Sequence, residues 1–445
     1  MRTRRLRQTY AGSREHQRAL RSSLLFAALL ISAGCSSSRP LMPAPSLYLD
    51  TPTPLFETLP DELQGDHLNL LFVTDREPIN EAGQPLVYGF GRSASVAFGT
   101  VQVVLGNGLD WDDVLSSSLN GERKKKDVVL SLGETVELRR FPETPLGVVL
   151  DESGGIETDP EIVALVDTAE ASLYHEIDLR LALTAKNEVV IFIHGYANDF
   201  SEGAFKLAEL WHYLGREGIP LLFSWPAGHG GAKGYAYDSE SGEFCVYHLK
   251  ELLRLLARHD GIEAIHIIAH SRGTDVATSA LRELVIESRA AGYDPRARLK
   301  VQNLVLAAPD LDMSVVEQRL IAENVGLGID RVTIYTSHGD KAIRLSEKLR
   351  SGLRRLGRVG KGDLREERTD DLLVWERVIN VDFVDFEGAA DRFGHSYVLT
   401  NPAASSDLIM LLRYGFAPGT ENGRPLEYLG AGFWRIPEDY PPPPE

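Results

Sequence analysis

Ser271 lies in Ala269-His270-Ser271-Arg272-Gly273, directly after the apolar run Ala264–Ala269 and directly before Thr274–Ser288, a segment of helical spacing. A serine at a strand–turn–helix corner with small residues on both sides has the pattern of a nucleophile elbow. Such a turn strains the serine backbone, lifts the hydroxyl above the sheet edge and aims a helix N-terminus at it. A serine used this way needs a base to take its proton, a carboxylate to orient the base and amides to hold the oxyanion. Ala269 stands where glycine is commoner, and is still small.

The partners follow from chain order, which for an elbow of this kind runs serine, acid, histidine. After Ser271 the sequence contains two histidines, His338 and His395. His338 lies in the turn Ser337-His338-Gly339-Asp340, too early for the base, which leaves His395 in Gly394-His395-Ser396-Tyr397. Asp340, just after the run Arg331–Thr336, is the expected acid. Asp310 and Asp312, after the preceding run, and Asp385, near His395 in sequence, are alternatives; Asp310 also suits a cap for a helix beginning near Ser314. Upstream, the run Glu188–Ile193 ends in His194-Gly195-Tyr196-Ala197-Asn198. The amides of Tyr196 and Arg272 are the expected oxyanion donors, with Gly195 letting the backbone turn close to the substrate. His194 and His270 read as structural histidines rather than bases. This chemistry calls for no metal and no cofactor.

β-type runs recur at Glu188–Ile193, Pro220–Trp225, Ala264–Ala269, Val301–Ala307, Arg331–Thr336 and Val378–Phe383. Helical spacing fills the intervals at Ser201–Arg216, Glu243–Arg258, Thr274–Ser288, Ser314–Glu323 and Lys341–Leu353, with a last helix at Ser406–Tyr414. Strands this apolar are buried on both faces, so the alternation predicts an α/β fold: a doubly wound, mostly parallel sheet with helices on both faces. Earlier strand-like runs at Leu68–Val73, Val96–Leu105 and Val128–Leu138 are expected to extend that sheet, and Glu161–Leu183 to be helical. Residues 61–415 thus read as one domain, with N-terminal strands over 61–150 and the catalytic core over 160–415. The Gly-rich stretch Pro226–Ser241 reads as a short cap or pocket wall, and the Pro-rich 416–445 as a loosely held extension.

Taken in order, Ile193-His194-Gly195-Tyr196, Phe223-Ser224-Trp225-Pro226, Ala269-His270-Ser271-Arg272-Gly273, Ala308-Pro309-Asp310 and His395-Ser396-Tyr397 resemble a bacterial, esterase/lipase-like branch of the α/β-hydrolase superfamily. Val73-Thr74-Asp75-Arg76 and Tyr88-Gly89-Phe90-Gly91-Arg92 resemble it too, so the likeness covers roughly residues 68 to 415. It implies the α/β-hydrolase fold and a Ser-His-Asp triad, and leaves the substrate open. No long apolar insertion suggests an interfacial lid, so an ester with a small or medium acyl group is the expected substrate. An amidase or peptidase with the same triad, and a non-catalytic envelope lipoprotein using the fold as a scaffold, are the competing readings.

The chain ends differ from this core. Residues 1–34 carry seven Arg and one acid, then the apolar run Leu24–Ile31, too short to span a bilayer, then Ser32-Ala33-Gly34-Cys35. This resembles a lipoprotein signal with Cys35 as the acylated residue, and predicts export to the cell envelope, on the periplasmic face of the outer membrane. Residues 35–60, rich in Pro and Ser, are expected to form a flexible tether. Cleavage would leave Cys245 as the one cysteine, expected to be a packed core thiol, and would move the formal charge from −17 to −23. So acidic a chain is a poor partner for nucleic acid. The basic clusters Arg123–Lys126 and Arg344–Lys361 read as solvated faces.

Overall fold

The computed structural model describes residues 38–49, 54–56, 59–79, 85–124, 127–363, 380–387 and 394–441. The signal-like segment and Cys35 lie outside them. One twelve-stranded sheet organises the chain. Its centre is parallel, in the spatial order Ile219–Ser224, Glu188–Ile193, Ala264–His270, Val301–Ala307, Arg331–Thr336, Val381–Asp385. These strands are almost entirely buried because helices cover both faces, and the two faces carry separate apolar clusters. Burial of each such Val, Leu or Ile side chain contributes about 1.5–3 kcal/mol.

The chain reverses direction across the sheet at Glu188–Ile193, whose sequence successor lies on one side and Ala264–His270 on the other. A crevice opens at the carboxyl ends of strands where the order reverses in this way. The loop after Ile193 and the turn after His270 are therefore neighbours.

The N-terminal strands extend the sheet as expected, and reach further. His67–Ile79 joins Ile219–Ser224 in parallel, followed by the antiparallel strands Val87–Leu105 and Val129–Arg140. The helices keep close to their expected bounds, with two exceptions. Gly231–Arg258 is one helix that begins twelve residues before the periodic segment, so most of the stretch read as a Gly-rich cap is helical. Met313–Val315 passes into a π-helical turn, Val316–Ile321, where a regular α-helix was expected.

Both ends of the domain require correction. The described part of the 35–60 segment is not a free tether: Ser38–Pro40 pairs with Val129–Ser131, and Leu41, Met42, Leu47, Tyr48 and Leu55 are buried in the core. Its Pro and Ser content concealed five apolar anchors. Beyond residue 415, Phe433–Arg435 continues the parallel sheet beside Val381–Asp385, and Glu427–Gly430 closes the edge. Tyr440 and Arg424 are buried against Asp407, which ties the tail down. In the second basic cluster Arg355 is buried beside Asp310, so that cluster is not wholly a solvated face. Cys245 is buried, as its apolar neighbours implied. Among the described residues no helix is long and apolar enough to cross a membrane.

Candidate active site

The serine at the corner adopts φ +53, in the left-handed region that L-residues with a Cβ avoid. What holds it there is a set of backbone bonds. Its N–H donates to Ala307 O on the adjacent strand at 2.9 Å, and its carbonyl accepts from Thr274 N, Thr274 Oγ1 and Asp310 N. Two glycines permit the close packing. A Cβ on Gly273 would lie 2.4 Å from His194 O, and one on Gly195 would lie 2.7 Å from the Ser271 Cβ. The helix Gly273–Ala290 begins immediately after Arg272, so its N-terminus faces the corner.

Asp340 and His395 meet. Asp340 is fully buried, and its Oδ2 accepts a 2.7 Å hydrogen bond from His395 Nδ1. The other carboxylate oxygen caps the helix Lys341–Leu349, accepting from the amides of Ala342 and Ile343 at 2.9 Å each. One residue thus starts a helix and orients an imidazole. With Nδ1 carrying the proton toward Asp340, the basic nitrogen of His395 is Nε2. His270, the residue before the serine, packs its ring 4.8 Å from that of His395. Its Nε2–H donates to the His395 carbonyl at 3.2 Å, so the histidine loop is docked onto the elbow itself.

The other candidates are engaged elsewhere. Asp310 is buried and accepts from Tyr235 Oη at 2.6 Å and Ser346 Oγ at 2.7 Å, with Arg355 Nε at 3.4 Å. It is Asp312, not Asp310, that caps the turn at Ser314. Asp385 is buried at the end of its strand, and burial raises its pKa. His338 is half-exposed and pairs with Asp363.

His194 and His270 are both buried, and desolvation pushes both well below the ordinary imidazole range, so each is neutral. His194 stacks on Trp225 with an interplanar angle of 10°, and its carbonyl accepts from Trp225 Nε1. The Tyr196 and Arg272 amides lie on the two segments that the crevice brings together. Their neighbours on the chain are spoken for: Ser271 N–H by Ala307, and Ala197 N–H by Asp238 Oδ2 at 3.0 Å. The side chain of Tyr196 donates to Gly231 O and lies edge-on to Tyr235, which ties the start of the long helix to the loop after Ile193.

Arg76 and Asp238 had no individual role in the sequence reading, whereas Tyr235 belongs to the stretch read as a cap or pocket wall. Arg76 belongs to a motif already noted, but only the fold shows that it reaches His194. Asp238 was hidden by the Gly-rich stretch around it. Among the described residues, no group of three or more His, Cys, Asp or Glu side chains could hold a metal ion.

The family described as alpha/beta hydrolase of unknown function (DUF900) matches residues 169–412, more than half of the chain. The chain belongs to that family. The match runs from the helix before Glu188–Ile193 to the last helix, and so includes the elbow, Asp340 and His395. A solved structure of a lipase-esterase related protein from Clostridium acetobutylicum ATCC 824 is similar over 51% of this chain and 94% of its own, at 13% identity and a TM-score of 0.23. No curated protein matches.

Proposed function

We propose that this α/β hydrolase cleaves carboxylic esters of small or medium acyl groups through an acyl-enzyme on Ser271. The observation that carries this reading is the hydrogen bond from the partly buried His395 to the fully buried Asp340, docked through His270 onto a serine held at φ +53. His395 Nε2 takes the Ser271 proton as the hydroxyl attacks the ester carbonyl. The amides of Tyr196 and Arg272 hold the tetrahedral oxyanion, and the imidazolium returns its proton to the departing alcohol. Water then repeats the sequence on the acyl-enzyme. Asp340 keeps the imidazole in the Nδ1–H tautomer and stabilises its charged form. The same proposal anchors the enzyme by a lipid on Cys35 at the periplasmic face of the outer membrane.

The test is hydrolysis of p-nitrophenyl esters of increasing acyl length beside the matching anilides, with wild type and Ser271→Ala. Ester turnover that disappears in the variant is expected, with activity highest for short and medium chains. Faster anilide than ester cleavage would replace the esterase reading with an amidase. A folded wild type that turns over neither series would leave the scaffold reading standing.

A further inference from the structure

We propose that Arg76 and His194 are positioning residues: together they fix the peptide plane between Gly195 and Tyr196, and so the direction of the Tyr196 N–H. The inference rests on the oxyanion role proposed above and adds how that amide is aimed.

Arg76 is fully buried at the junction between the N-terminal strands and the crevice. Its five N–H groups all have acceptors. Nε donates to Ser224 Oγ at 2.8 Å, and Nη1 to Gly89 O at 3.0 Å and Ala227 O at 2.7 Å. Nη2 donates to Asn198 O at 2.8 Å and faces His194 Nε2 at 3.2 Å. Burial lowers its pKa only to about 10, so it stays a cation at neutral pH. A guanidinium has no acceptor, so His194 Nε2 must accept, and the His194 proton must reside on Nδ1. Nδ1 lies 3.0 Å from Gly195 O, to which it therefore donates. The neutral state of His194, favoured by burial and by the Arg76 charge, agrees with this tautomer.

The peptide unit is planar, so its carbonyl and its N–H point in opposite directions. Pinning Gly195 O through His194 Nδ1–H therefore sets the Tyr196 N–H, with no contact to the amide itself. The following peptide is held separately: Ala197, at φ +55, donates its N–H to the buried Asp238. An oxyanion donor works only if it is aligned before the charge forms. Lysine, with three donors and no fork, cannot make the Arg76 fan.

Arg76→Lys and His194→Phe test this, the second keeping a ring to stack on Trp225. With ester substrate each is expected to lower kcat by about 10- to 100-fold while KM moves by less than about threefold. A trifluoromethyl ketone, which forms the oxyanion adduct, should lose affinity by the same factor as kcat/KM. Folded variants with unchanged kcat and unchanged ketone affinity would overturn the proposal, as would equal losses in KM alone. Imidazole 15N NMR of the wild type needs no variant to fold. A neutral, Nδ1-protonated His194 is expected at neutral pH; an Nε2-protonated or doubly protonated ring there would refute the arrangement. An inactive wild type whose His194 shows the expected tautomer would remove the esterase reading and not the Arg76–His194 contact.

Discussion

At the scale of single residues, Asp340 combines two tasks that substitution can separate. Asn at 340 keeps an oxygen to cap the helix Lys341–Leu349 but no longer orients His395 as a carboxylate does. Asp340→Asn is therefore expected to retain stability and lose on the order of 10⁴ in kcat. Asp340→Ala should lose the same activity and about 1 kcal/mol of stability as well. Asp310→Asn, which disturbs a carboxylate bound by Tyr235 and Ser346, should leave kcat within about tenfold. Steady-state kinetics with thermal melts on the three variants decide it, and the reverse activity ranking would move the acid to 310. A second residue-scale expectation concerns Asp238, whose carboxyl burial raises to about 6. A carboxyl raised in the fold favours its protonated form. Its contribution to stability is full below about pH 4 and lost as the pH rises through about 6. Asp238→Asn has no such titration. The stability of wild type relative to the variant should therefore fall by up to about 3 kcal/mol between about pH 4 and 7. A difference constant with pH would contradict the buried carboxyl. The turn at Ser271 and the pairing of Asp340 with His395 were legible in the sequence because chain order and the strand–turn–helix context constrain them. The tautomer of His194 was not, since it depends on an arginine 118 positions away.

At the scale of elements, periodicity located nearly every strand and helix of the core, because each apolar run is buried by the layers it was expected to lie between. It failed where local composition and tertiary contact disagree. The helix Gly231–Arg258 starts in glycine-rich sequence without a side-chain cap. Its first turns are tied down by tertiary contacts: Tyr235 Oη donates to Asp310, Tyr237 Oη donates to Phe90 O, and Arg92 lies over the Tyr237 ring. Tyr235→Phe leaves a buried carboxylate one donor short, and should cost about 1–3 kcal/mol in chemical denaturation. Hydrogen exchange is expected to rise over 231–240 and not over the strand Ala264–His270. Unchanged exchange in the helix start would mean that something other than Tyr235 orders it.

At the scale of the whole molecule, segments from both ends of the described chain join one sheet, which composition alone concealed. Pro and Ser near residue 40 and the final prolines read as linkers, yet one buried cluster governs the tail. Asp407 accepts two bonds from Arg424, at 3.0 and 2.6 Å, and one each from Tyr335 and Tyr440. Arg424→Ala leaves that carboxylate buried without its cation and should cost about 3–5 kcal/mol. Urea denaturation measures the loss; a loss below about 1 kcal/mol would show the tail to be expendable.

The proposal that Ser271 is a nucleophile driven by His395 is tested most directly by the mass of the enzyme after exposure to a fluorophosphonate, followed by mapping of the modified peptide. One adduct on Ser271 is expected in the wild type, none in Ser271→Ala, and labelling slowed by about 10³-fold or more in His395→Ala. A folded wild type that gains no mass, or an adduct that persists at another serine in Ser271→Ala, would contradict the account.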